Sequence, residues 1–226
     1  MEFVIKKFIP ILLIMCICFA LGGCSGEEEK KPGICGSEQV EALRAAAAGW
    51  ESGRYLFTDL LTGETNQVFS FMYNADGTQI YLYEKVIDGV YYAEYNDGTA
   101  IYILDGETIS IVRPGSDGFV SYSRDNPHPY STGDLLFYVK EYIGRSEEIP
   151  LEQNAVAYEH YYNTDKMNKA TGSVLTNFAV SYTFDADGNF LYFTQNSFDG
   201  ENSSSYMIET VDENSVTAID NPVTIP

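Results

Sequence analysis

The chain has 226 residues, with 33 Asp and Glu against 13 Lys and Arg, a formal net charge of −20. An excess of this sign repels phosphate backbones and anionic headgroups, which excludes nucleic-acid binding. A hydrophobic fraction of 45% with 18 Tyr and 13 Phe excludes wholesale disorder, and the length suits one domain or at most two small ones.

Taken in chain order, residues 1–23 read as an export signal, with Lys6 and Lys7 ahead of an apolar run from Phe8 to Leu21 that is short for a membrane span. The following Leu21-Gly22-Gly23-Cys24 resembles the lipobox of bacterial lipoproteins. That resemblance implies cleavage before Cys24, a diacylglyceryl thioether on its sulfur and often an acyl chain such as palmitate on the new amine. The mature chain is then expected on the extracytoplasmic side of a membrane, held there by lipid. Loss of Lys6, Lys7 and Glu2 leaves it no less acidic, so its surface does not supply the attachment.

Residues 24–36 carry Glu27 to Glu29, Lys30, Lys31, Pro32 and Gly33 with little apolar content, and read as a lipidated flexible tether. Cys16 and Cys18 leave with the signal, so Cys35 is the remaining free thiol and no internal disulfide is available. Its place beside the anchor suggests a passive role. Residues 37–226 form the domain. Ser37 is the expected N-cap of an amphipathic helix over 38–51, with Val40, Leu43, Ala47 and Trp50 on one stripe.

From Arg54 the period changes to that of strands. Asp-Gly pairs at 76–77, 88–89, 97–98, 105–106 and 117–118 punctuate seven expected strands, the last at Phe119 to Ser123. Asn126-Pro127-His128-Pro129 ends the block. A second amphipathic helix is expected over 132–143, capped by Thr132 and Asp134 and burying Leu135, Leu136, Val139, Tyr142 and Ile143. Arg145 to Gln153 reads as a polar connector. Strands resume at Val156–Thr164, Ser173–Phe184, Asn189–Gln195 and Ser204–Val211, with a further piece at Val216–Ile219. The mid-chain helix interrupts any propeller repeat.

Catalytic and metal signatures are missing from the sequence. His128 sits between prolines, His160 lies in a strand, and neither has ligand spacing. There is no nucleophile elbow or phosphate loop. Asp185-Ala186-Asp187-Gly188-Asn189 opens like a calcium loop, but Phe190 and Asn196 stand where that loop needs Gly and Glu, so a hairpin turn is expected. The chain is therefore read as non-enzymatic, with no cofactor implied.

The order of elements is export signal and lipobox, first helix, long meander, mid-chain helix, then long strands around Phe184-Asp185-Ala186-Asp187-Gly188-Asn189. With Tyr206-Met207-Ile208, Val211-Asp212-Glu213-Asn214 and Ile219-Asp220-Asn221-Pro222 at the end, it resembles the LolA-like half-barrel lipoproteins, including LppX-type lipid-binding proteins. The resemblance covers roughly residues 37–222. It implies an α+β fold in which a strongly curved antiparallel sheet of about eleven strands wraps an N-terminal and a mid-chain helix. The space between them would hold an apolar, lipid-like ligand. The candidate contacts are Phe57, Phe69, Phe71, Tyr81 and Tyr83 from the first block, Leu136 and Val139 from the mid-chain segment, and Phe178, Val180, Tyr182 and Phe184 from the second. The alternative is an accessory interaction lipoprotein with a filled core. The richness in Tyr bears on the choice, because each buried hydroxyl needs a partner.

Overall fold

Short runs of Tyr, Phe, Ile and Val between tight turns build most of the domain, and the computed structural model describes it over residues 33–131 and 136–223. The export signal, Cys24 and the tether as far as residue 32 lie outside the described residues, as do the expected caps Thr132 and Asp134 and the neighbouring Leu135. Residues from Ile34 onward form one folding unit.

The fold is α+β, an open antiparallel sheet of eleven strands with two α-helices among the described residues. Helix α1 is Ser37–Ala48, followed by β1 Ser52–Asp59, β2 Glu64–Tyr73, β3 Gln79–Ile87, β4 Val90–Asn96, β5 Ile101–Asp105 and β6 Thr108–Val112. After a crossing segment, β7 Ile143–Pro150 and β8 Val156–Tyr162 lead to α2 Thr164–Thr171, then β9 Asn177–Phe184, β10 Phe190–Phe198 and β11 Ser203–Val211. The spatial order is β6-β5-β4-β3-β2-β1-β11-β10-β9-β8-β7. The chain thus starts at the centre, meanders to one edge, crosses to the other and meanders back. Pairing of β1 with β11 joins the halves, with Phe57 opposite Ile208.

Local chemistry explains the hairpins. At the β3–β4 turn Asp88 and Gly89 both have positive φ, 51° and 76°, which is the type I′ geometry whose twist matches the flanking strands. The second α-helix follows local signals as well, although it was not expected. The Asn163 side chain accepts from the Lys166 N–H at 2.9 Å, Asp165 occupies the first turn, and Gly172 ends the helix in the left-handed region.

Other expectations are corrected. Helix α1 ends at Ala48, and its N-cap is Gly36; the Ser37 hydroxyl instead accepts from Tyr138 at 2.8 Å. Ile34 to Gly36 are docked and do not belong to a tether, since the Cys35 N–H donates to Ser146 Oγ and its carbonyl accepts from His160 Nε2, each at 2.9 Å. Phe119–Ser123 is no strand, and Ser123 makes isolated bridges to Thr78 and Asn126. The supposed connector at 145–150 is β7, an edge strand whose charges and Pro150 suit its unpaired side. Val216–Ile219 forms no strand.

The expected helix over 132–143 is replaced, in its described part, by 3-10 conformation at Leu136, extended backbone at Val139, a 3-10 turn at Lys140–Tyr142 and the start of β7 at Ile143. Phe137 has φ 30°. The backbone acceptors that a helix would use internally are taken by side chains: Tyr182 donates to the Leu136 carbonyl, Tyr162 to that of Phe137 at 2.9 Å, and Arg44 to that of Tyr138 at 2.8 Å. Tertiary partners outcompete a helix that would be marginal alone.

One face of the sheet carries the core. Tyr55, Phe57, Phe69, Phe71, Tyr81, Phe178, Val180, Tyr182, Phe193 and Ile208 are buried there with Val40 of α1 and Leu136 of the crossing segment.

Candidate functional site

The crossing segment makes the site. From Tyr122 to Ser131 it is fastened to β3: the Gln79 N–H donates to the Tyr122 carbonyl at 3.0 Å, and the Gln79 side chain accepts from the His128 N–H and donates to Ser131 Oγ, both at 2.7 Å. The His128 ring lies 4.8 Å from Phe69 and 4.7 Å from Tyr81, with Tyr122 and Tyr130 on its other sides. Leu136 to Tyr138 are fastened on the far half by the tyrosine and Arg44 bonds described above, and the Phe137 ring packs edge-on against Phe178.

Between these two fastenings a cleft of about 350 Å³ opens over the β1–β11 seam. Among the described residues its floor is Phe57 and Ile208, its roof is Pro129, Tyr130 and Phe137, and its polar walls are Gln67, Gln195 and Tyr206. Register places them together: Gln67 is opposite Phe57, and Tyr206 is opposite Gln195. The Gln67 side-chain Oε1 accepts from the Tyr83 hydroxyl at 2.7 Å. The volume is at the small end for a ligand site, and an apolar floor with a few polar groups is the usual composition.

Of the expected contacts, Phe57 alone lines the cleft. Phe69, Phe71, Tyr81, Leu136, Phe178, Val180, Tyr182 and Phe184 are buried in the core, Tyr83 is half-buried against it, and Val139 is half-buried. Gln67, Pro129, Tyr130, Phe137, Gln195, Tyr206 and Ile208 line the cleft without being among the contacts expected from the sequence. Alternation in β10 and β11 could have nominated Gln195, Tyr206 and Ile208 as inward-facing, but no local signal places Pro129 or Phe137 above them.

The electrostatics follow from burial and one carboxylate. Glu94 accepts from Tyr81 and from Tyr92, the latter at 2.9 Å, and burial together with this acceptor holds both phenols well above their usual range. Burial pushes Tyr83 up to about 12. Burial pushes His128 down to about 4, against the opposing pull of Glu94. His160 donates to the Cys35 carbonyl, its Nδ1 has no partner among the described residues, and burial lowers its pKa too.

A depressed histidine pKa means that the unfolded chain binds the proton more readily. His128 therefore contributes stability that is present above its ordinary value of 6.5 and lost as pH falls toward about 4. Thermal melts from pH 7 to 4 should show the wild type losing stability more steeply than His128→Phe, which keeps a ring in the stack and cannot be protonated. Parallel curves for the two proteins would show that His128 does not couple acid to unfolding.

Among the described residues no group of His, Cys, Asp and Glu could hold a metal ion, and no helix is long and apolar enough to cross a membrane. No known protein-family model matches the chain, and no curated protein matches it.

Proposed function

We propose that this chain is a lipid-anchored extracytoplasmic protein, attached through Cys24, that binds a small apolar or amphipathic ligand in the cleft beneath the crossing segment. The cleft carries this reading: Phe57, Phe137 and Ile208 offer an apolar bed, and Gln67, Gln195 and Tyr206 stand beside it. Neither Gln195 nor Tyr206 makes a side-chain hydrogen bond among the described residues, so both can serve a ligand's polar end. The acidic surface argues for an uncharged or cationic ligand over an anionic one. The sheet is taken to bend as in LolA-like half-barrels, but with most of the interior filled by aromatic side chains, so that one short chain or ring fits where a larger barrel would take several. No catalytic role is assigned.

The reading is tested on residues 34–226, the folding unit, by titration with the uncharged probe Nile red and by mass spectrometry of organic extracts. The wild type should take up probe or retain a stoichiometric ligand, and Gln195→Trp, which fills the cleft, should abolish uptake with little change in the melt. A wild type that does neither would favour the accessory reading, for which the complete burial of Phe69, Phe71, Val180 and Tyr182 is the supporting observation. The anchor is tested separately. Cys24→Ala should lose metabolically incorporated fatty acid and Cys35→Ser should keep it; label persisting on Cys24→Ala would sink the assignment.

A further inference from the structure

We propose that the end of the sheet bearing the β1–β2, β3–β4, β5–β6, β8–β9 and β10–β11 connections rests on the surface of the bilayer that holds the anchor. This inference stands on the reading of Cys24 as the lipid site. Antiparallel order puts these five connections at one end and the β2–β3, β4–β5, β7–β8 and β9–β10 connections at the other.

Exposed large apolar side chains are not spread evenly between the ends. Leu60 and Leu61 stand in the β1–β2 turn, Ile87 and Val90 flank the β3–β4 turn, Val174 precedes β9, and Phe198 ends β10; Leu61 and Val174 are 71% and 70% exposed. Val86 and Ile109 stand one step inside the same end. Elsewhere among the described residues the large apolar side chains left exposed are Val120 in the crossing segment and Leu191 near the start of β10. Aspartates close turns at both ends, Asp76, Asp97 and Asp185 at the opposite one and Asp59 and Asp199 at this one, so it is the apolar side chains that distinguish the two. Single exposed apolar residues are unremarkable on a soluble surface, whereas their collection along one end marks an interaction surface.

The path of the chain selects a bilayer as the occupant. Cys35 pairs with Ser146 and His160, near the end of β8 that leads into α2, and Gly36 lies against Tyr158, further along β8 toward the opposite end. The first residues of the domain therefore dock on β8 beside His160 and Tyr158, two and four positions before its end at Tyr162, with the His160 contact in the half of the strand nearer the apolar end. Cys24 precedes Gly33 by nine residues, a reach of at most about 30 Å. A domain held that close to lipid meets the surface at high effective concentration, so weakly apolar turns suffice for contact. Asp88, Asp105, Glu107 and Asp199 in the same turns favour zwitterionic over anionic headgroups.

The test uses the lipidated full chain carrying Cys35→Ser, with a nitroxide at Leu61→Cys, Ile87→Cys or, as the opposite-end control, Asp187→Cys. Flotation with phosphatidylcholine vesicles reads the anchor, and accessibility to an aqueous relaxation agent reads the contact. Labels at 61 and 87 should lose most of their aqueous collisions on vesicles while the label at 187 keeps them. Adding phosphatidylglycerol should restore access at 61 and 87, and raising the salt concentration should reverse that restoration. Chains that do not float would overturn both the anchor and the contact. Chains that float with all three labels equally aqueous, or with 61 and 87 shielded only when a protein partner is added, would overturn the contact alone.

Discussion

Phe69→Ala will destabilise the domain by about 3–5 kcal/mol, as expected for truncating a fully buried aromatic residue. Phe69 is completely buried on β2, packed against Tyr55 of β1, Phe71 of its own strand and Tyr81 of β3, with Tyr130 edge-on and His128 stacked at 4.8 Å. The change opens a hole under the crossing segment, where the backbone is held by hydrogen bonds to Gln79 and cannot simply collapse. Urea unfolding measures it, with Val174→Ala as the exposed comparison, expected within about 0.5 kcal/mol of wild type. A loss below about 1 kcal/mol for Phe69→Ala would mean that the aromatic stack is not a packed core.

Gly36→Ala should be nearly as damaging, and for a different reason. Gly36 has φ 65°, where a side chain costs about 1–2 kcal/mol. A Cβ there would also sit 2.2 Å from the Tyr158 ring, so helix α1 or the ring must shift, adding about 1–3 kcal/mol of the kind seen on overpacking. Gly63 separates the two effects, because it has φ 73° with nothing near a Cβ. Gly63→Ala should therefore cost only the conformational part. Equal midpoints for the two variants would show that Gly36 and Tyr158 are not in contact. The same pair bears on where the domain begins, since a docked Gly36 makes residues 34–36 part of the folded unit.

Much of the sheet was legible in the amino-acid order, because its determinants are local. Asp88-Gly89 sets a type I′ turn through two adjacent backbone angles, and the alternation of Phe178, Val180, Tyr182 and Phe184 sets which face of β9 joins the aromatic core. The stripe of Val40 and Ala47 likewise announces α1. These signals lie within a few residues of the structure they specify. Strands β8 to β11 were legible for the same reason, whereas β7 was not, since an edge strand needs no apolar alternation and Arg145, Glu147 and Glu148 read as a connector.

The crossing segment shows where such reading stops. Leu136, Val139 and Tyr142 have helical spacing, yet the carbonyls of Leu136, Phe137 and Tyr138 are claimed by Tyr182, Tyr162 and Arg44, residues distant in sequence. Periodicity reports which residues want burial; it carries no information about which distant donors will meet a given carbonyl. The aromatic residues of the inner face show the same limit, because a residue lining a cleft and one filling a core have the same composition. Phe57 borders open space while Phe69, two strand positions along the inner face on the next strand, does not, and the difference is the path of Pro129, Tyr130 and Phe137 above them. That path depends on the joining of two half-sheets through β1 and β11, a pairing between residues some 150 positions apart, and so the cleft exists only once the whole sheet has assembled.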